Sequence, residues 1–295
     1  MNAPTSVMDQ RMEAERIYGW ITDLCSQEGR LVAMLELSER RSQIESLGHL
    51  LWHSFGAVAG LLQEIVSIYP SVLTNDLTIQ ESQRICAAIG LFQAMASDPN
   101  IALLLIRCEF ISYLMPMLKL TPQTRAVEHV RLSVLGVICG LLKSDQKEVV
   151  IYFLGTELMP HVLHNLEFGS SMSKVLCAFA LFRILENEVG LSFVGNTMAR
   201  KMHLVHTLAR VVYQLTLEVE PRVLKHVVRA YFRLADHPQC IELILKHFPP
   251  QLRNGYFCKE KLPGYENANL ELAKLSCKLA NKEAQLKKGK EEIIS

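Results

Sequence analysis

The chain has 295 residues, with 31 Lys and Arg against 30 Asp and Glu, and a formal net charge of +1. That balance excludes a partner held by the field of the whole molecule, so any nucleic-acid affinity must come from local charge. Hydrophobic residues make up 49% and charged residues 21%, a mixture that can bury a continuous core.

The cysteines, at 25, 86, 108, 139, 177, 240, 258 and 277, form no Cys-x-x-Cys pair. Cys86, Cys139 and Cys177 lie in apolar stretches, where a thiol behaves as a small hydrophobe. The pattern predicts a reducing compartment rather than a disulfide framework. No apolar leader follows Met1, so the expectation is a cytoplasmic or nuclear protein with no membrane segment.

Residues 1–11 are polar and read as disordered. From Met12 to Cys25, Ile17, Trp20, Ile21 and Leu24 form a helical stripe. Leu31–Leu37 predicts a second short helix, and Ser38–Ser46 a solvated connection. Gly48–Pro70 (GHLLWHSFGAVAGLLQEIVSIYP) reads as one long helix ended by Pro70. Trp52, His53, Phe55, Ala59, Leu62 and Val66 fall close to one side of it. Gly56, Ala59 and Gly60 between them would admit another helix closely. Such a face either packs on the neighbouring element or anchors an interface, and the residues alone leave both readings open. Ser71–Gln80 is a loop, with Thr78 an N-cap for the next helix.

From Arg84 one pattern recurs. Arg84 opens RICAAIGLFQAMASD, Arg131 opens RLSVLGVICGLLKSD, Lys174 opens KVLCAFALFRILENE and Arg222 opens RVLKHVVRAYFRLAD. In each, a basic residue precedes an acidic one by 14 positions, and the copies start 47, 43 and 48 residues apart (84 to 131 to 174 to 222). The second copy is apolar almost all round from Leu132 to Leu142, too short for a membrane span of roughly 20 residues. It predicts a helix buried on most sides. Between copies, a short apolar helix, a Glu-containing turn and Leu-Met-Pro recur, with Pro116 and Pro160 in the first turn of the following helix. A long helix is expected to begin near His203, and Gln239–His247 to be the last helix of the array. Periods in the forties are those of armadillo and HEAT units. The fold class is therefore all-α, an α-solenoid of about six armadillo-like repeats. The repeats would span 12–252, followed by a divergent Lys-rich tail, 253–295, partly helical or disordered. Leucines at 270, 272, 275, 279 and 286 give that tail an amphipathic character.

Catalytic constellations are weak. His49/His53 lie at i,i+4, and His161/His164 and His203/His206 at i,i+3, but none has a third ligand nearby, so no metal site is assigned. No nucleophile elbow, phosphate loop or cofactor motif occurs. The informative face is in copy four, where Arg222, Lys225, His226, Arg229 and Arg233 form one helical stripe. By analogy with armadillo grooves it would make the groove basic toward its C-terminal end. Phosphate backbone or acidic peptide suits such a face, as does a plain solvated surface paired with Glu218, Glu220 and Asp236. Tyr231 and Phe232 give little aromatic interleaving, so weak, salt-sensitive binding of single-stranded nucleic acid is the alternative function.

LWHSFG…LLQEIVSIYP, RIYGWITDL at 16–24, AMLELSERR at 33–41, RLSVLGVICGLLKSD at 131–145 and LKHVVRAYFRLADHP at 224–238 resemble the required-for-cell-differentiation (Rcd-one) family. This is the armadillo-repeat subunit of the CCR-NOT messenger-RNA deadenylase complex. The match runs from about residue 14 to about 252. The resemblance implies a non-enzymatic adaptor that docks on the NOT scaffold subunit, with His53, Phe55, Ala59 and Val66 as scaffold-facing residues. It implies a groove for short helical motifs of RNA-binding regulators, at Arg131, Gly136 and Leu176. It also implies tryptophan pockets for Gly-Trp repeat silencing proteins. Of these pockets Arg200 and His203 remain, while Met198 stands where the family commonly has Tyr, and Lys201 and Met202 also depart. Val127-Glu128-His129 replaces the family's Phe-Glu-Tyr. These departures mark a divergent member with narrower partners. A homodimer is a further expectation, and no cofactor is expected.

Overall fold

The computed structural model describes residues 7–74, 76–120, 124–257 and 266–294. Among them every regular element is helical. The helices are α1 (Val7–Asp23), α2 (Arg30–Glu39), α3 (Leu47–His53), α4 (Ala57–Ser67), α5 (Tyr69–Thr74), α6 (Ile79–Ala96), α7 (Pro99–Arg107), α8 (Met115–Leu118) and α9 (Arg125–Lys143). There follow α10 (Lys147–Gly155), α11 (Leu158–Phe168), α12 (Ser171–Glu186), α13 (Glu188–Gly195), α14 (Met198–Leu217), α15 (Pro221–Leu234), α16 (Pro238–His247), α17 (Pro250–Arg253) and α18 (Glu266–Ile294). The chain divides into two compact units, Met1–Ser144 and Asp145–Ser295.

The four recurring stretches are α6, α9, α12 and α15. Within the first unit α2, α6 and α9 lie side by side, and within the second α12, α15 and α18 do. Shorter helices fill most of the intervals, while α14, at 20 residues, is longer than the α12 and α15 it lies between. The N-terminal signals act as local chemistry dictates. Thr78 and Glu81 form a reciprocal capping box on α6. Asp98 accepts hydrogen bonds from the Asn100 and Ile101 amides at the start of α7. Pro116 and Pro160 sit in the first turns of α8 and α11. In α9 every residue from Val134 to Leu142 is buried, as its sequence predicts.

Several boundaries differ from the sequence reading. α1 starts at Val7, inside the segment read as disordered; residues 1–6 and Asn75 lie outside the described residues. Gly48–Pro70 is not one helix. Ser54 is extended and Gly56 takes φ +84°, a left-handed conformation that glycine adopts without steric cost, so the chain breaks into α3 and α4. Pro70 does not end that stretch but sits in the first turn of α5. The helix expected near His203 begins at Met198, after an extended Thr197.

The array also continues past α16. Ala268, Leu275 and Leu279 of α18 are buried, and α18 lies along α15. The leucine pattern of the tail thus becomes a further long helix stacked on the fourth copy. Residues 258–265 and the Leu286 side chain are outside the described set.

The acidic ends of the copies have a role in this stacking. In the second unit, Arg183 of α12 pairs with Asp145 at 3.2 Å. Arg233 of α15 pairs with Glu188, and Lys278 of α18 with Asp236 at 2.7 Å. α12, α15 and α18 thus each send a cation to the acid that closed the preceding copy.

Deleting buried methyl groups from α18 should destabilise the second unit. Leu275→Ala or Leu279→Ala is expected to cost about 2–5 kcal/mol in urea unfolding of the full chain. Leu270→Ala, at a position 55% exposed, should cost less than about 0.5 kcal/mol.

Candidate docking surface

The α3–α4 break builds a surface from residues that the core does not use. Leu51, Ala57, Leu61 and Ile65 point inward and are fully buried. By helical spacing, His53, Ala59 and Val66 then face outward, and all three are exposed. Phe55, in the break itself, is wholly exposed, with a relative accessibility of 102%. With Val66, 40% exposed, and Ala59 on the same side, it gives this face an apolar surface that the core does not use. The sequence placed Gly56 and Gly60 as small residues that admit a neighbour. The neighbour is internal: a side chain at Gly60 would meet the Leu24 carbonyl oxygen at 2.6 Å. The Cys25 thiol donates to the Phe55 carbonyl at 3.1 Å and so holds the break. The sequence reading did not single out Cys25, because only the fold brings it 30 positions along the chain to Phe55.

α4 is fastened beneath this surface by a buried carboxylate. Glu64 accepts from Arg30 Nη1 at 3.3 Å and from Arg84 Nε and Nη2 at 2.5 and 3.0 Å. Arg30 also donates to the Leu24 carbonyl and to Gln63. Burial by itself would raise the Glu64 pKa, but the Arg84 and Arg30 guanidiniums more than offset it and hold the carboxyl below its ordinary value. The His49 and His53 rings lie 4.2 Å apart on α3. Among the described residues no group of three or more His, Cys, Asp or Glu could hold a metal.

The predicted groove residues divide between the two units. Arg131 is only 3% exposed and pairs with Glu128, so it is a core cation rather than a groove-lining one. Gly136 is buried against the Gln93 side chain, whose Oε1 a Cβ would meet at 3.1 Å. Leu176, on α12, is half-buried. Of the tryptophan-pocket residues, His203 is exposed, and the Arg200 guanidinium stacks 3.7 Å from the Phe193 ring centroid while donating to the Phe193 carbonyl. Met198 is 63% exposed at the start of the same helix.

The basic stripe of α15 is present but not free. Arg222 pairs with Glu220, Arg229 with Glu271 of α18, and Arg233 with Glu188 and Asp236. Lys225 is half-buried on the same helix. The three arginines of the stripe are therefore paired, Arg229 because α18 lies along α15 and brings Glu271 with it, the others by acids nearer in the chain or on α13. His226, counted among its cations, sits against Phe179 and Phe182 of α12. Burial lowers its pKa to about 4, with Arg229 and Lys225 adding to the effect. Tyr231 is fully buried, and Phe232 lies under the Lys278 ammonium. The aromatic partners of the stripe come from α12, which no spacing within α15 could reveal.

Comparison with known proteins bears on these features. The sequence model described as "Cell differentiation family, Rcd1-like" matches residues 20–274, past the point where the resemblance in the sequence stopped. The chain is 37% identical over 247 residues to Cell differentiation protein rcd1 of Schizosaccharomyces pombe, covering 84% of this chain and 87% of that one. It is 35% identical over 247 residues to Protein CAF40 of Saccharomyces cerevisiae, covering 83% of this chain and 66% of that one. Among solved structures, a designed armadillo repeat protein in complex with peptide (KR)4 matches with a TM-score of 0.63 at 15% identity, over 88% of this chain and 98% of that one. A second designed armadillo repeat protein matches with a TM-score of 0.59 at 17% identity, over 87% and 98%. At such identities these two show the fold: an all-α armadillo-type solenoid.

Two measurements check the electrostatics. Glu64→Gln leaves Arg30 and Arg84 without their carboxylate and should cost on the order of 3 kcal/mol in chemical unfolding at pH 7. For His226, the unfolded side chain takes up a proton near its ordinary value of 6.5, while the folded one does so only at about 4. Stability should therefore fall as pH drops through that window. The fall should be smaller in His226→Leu, as thermal unfolding against pH would show.

Proposed function

The chain belongs to the Rcd1-like cell differentiation family, and from that premise we propose that it is a non-catalytic adaptor subunit of the CCR-NOT deadenylase complex. It docks on the NOT scaffold subunit through the α3–α4 surface. Regulators of messenger RNA then bind elsewhere on the array, and the transcripts they carry are degraded or repressed. The adaptor works by raising the effective concentration of a transcript near the deadenylase, with no chemistry of its own. It acts in the cytoplasm or the nucleus, where its thiols stay reduced.

One observation carries the reading. The four residues that the family resemblance assigns to the scaffold, His53, Phe55, Ala59 and Val66, are all exposed. An aromatic anchor beside a small residue is the composition of an interface hot spot. The competing interpretation, that this face packs on the neighbouring element, requires those side chains to be buried.

The alternative function, a stand-alone binder of single-stranded nucleic acid, draws less support. Three of its four cations, Arg222, Arg229 and Arg233, are already engaged by Glu188, Glu220, Asp236 and Glu271. Tryptophan capture by the pocket remnant also has a competitor, since Arg200 is committed to Phe193.

The test is co-purification with the scaffold's family-binding segment. The wild-type chain should be retained, and His53→Ala combined with Ala59→Tyr should abolish retention while leaving the melting temperature within about 2 °C, as expected for surface substitutions. Retention of a folded double variant at the wild-type level would overturn the docking assignment.

A further inference from the structure

A cavity of about 440 Å³ lies in the second unit, where the α11–α12 connection meets the α14–α15 connection. It is within the size range of ligand and side-chain pockets. Its floor is apolar: Val211, Leu215 and Val223 line it and are at least 96% buried. Leu217 lines its mouth and is 77% exposed. Phe168, one residue before the lining Gly169, is 65% exposed, and Val219, between the lining Glu218 and Glu220, is 37% exposed. The connections that border the cavity thus carry exposed apolar side chains of their own.

The charges at the mouth are unequally committed. Glu220 caps α15, accepts from the Ser171 hydroxyl at 3.2 Å and pairs with Arg222 at 3.1 Å. Burial would raise its pKa, yet Arg222 holds it below the ordinary carboxylate value, so it stays ionised and occupied. Lys174 is different. It is half-buried in the wall of the cavity, and the Nζ donates to Gln214 Oε1 at 2.7 Å, a neutral acceptor. The equivalent cations of the other copies, Arg84, Arg131 and Arg222, each have a carboxylate. Among the described residues Lys174 has none. A half-buried ammonium beside an apolar pocket favours a carboxylate brought from outside. Exposed Glu218 on the rim opposes a uniformly acidic partner.

We propose that this cavity is a docking site for a peptide segment of a partner protein that inserts one aliphatic side chain between Leu215, Leu217 and Val223 and presents an adjacent carboxylate to Lys174. The site is separate from the α3–α4 surface and does not depend on it. It would let the second unit hold a short acidic-apolar motif while the first is engaged elsewhere.

The experiment is methyl NMR on the full chain with labelled Leu and Val methyls, titrated with N-acetyl-Leu-Glu-amide and, separately, with N-acetyl-Leu-Lys-amide. The acidic dipeptide should shift the Val211, Leu215, Leu217 and Val223 methyls saturably. It should bind roughly fivefold more tightly than the basic one, the scale of one partly exposed ion pair. Lys174→Glu should reverse that order, and Lys174→Gln, which keeps the size and removes the charge, should erase it. Absence of a saturable shift, or an order unchanged in a folded Lys174 variant, would overturn the proposal. Concentration-dependent shifts of the same methyls without peptide would assign the cavity to a second copy of the chain, and would overturn it equally.

Discussion

Stacking of one long helix on the next is the constraint from which the rest of this molecule follows. A helix such as α9, buried along nine consecutive residues, cannot stand at a surface. Within its unit it lies against α6, another long helix. In the second unit the repeating acids make that stacking specific. Asp145, Glu188 and Asp236 each receive a cation from the next helix of the α12–α15–α18 stack, in turn Arg183, Arg233 and Lys278. Each bridge is partly exposed and contributes little energy alone. Their combined effect is on register, because a helix slid by one turn would lose its acid.

The same constraint decides which faces remain for partners. Residues used in stacking are closed to docking, as Arg131 and Gly136 illustrate on α9. What stays open lies at breaks and connections. The α3–α4 break exposes Phe55 because Ser54 and Gly56 take the chain out of helix, and the Cys25 thiol holds the turn in place. The cavity beside Lys174 opens where two inter-helix connections meet. Both surfaces are framed by helices, α3 and α4 for the first and α12, α14 and α15 for the second.

Charge in this chain works mostly inward. Glu64 binds two arginines beneath the α3–α4 surface, and the cations of α15 are answered by acids from α13, α18 and their own helix ends. A net charge near zero is thus not a bland average but a sum of local pairings. His226 follows the same logic: two phenylalanine rings surround it, and it is neutral where the sequence alone would count a cation at mildly acid pH.

Sequence alone determined the all-α class, the repeat period, the cap at Thr78 and the burial of α9. These depend on residues close together in the chain, whose helical periodicity and backbone hydrogen bonding are read locally. It also singled out the residues exposed around Phe55, through family resemblance rather than through spacing. Tertiary structure decided the rest. The break at Gly56, the stacking of α18 on α15, the pairing of Arg229 with Glu271 and the solitude of Lys174 each depend on groups some 30 to 46 positions apart. No periodicity within one helix encodes which acid from another will reach a given cation. That is set only when apolar faces have chosen their neighbours and carried the charges at their margins together.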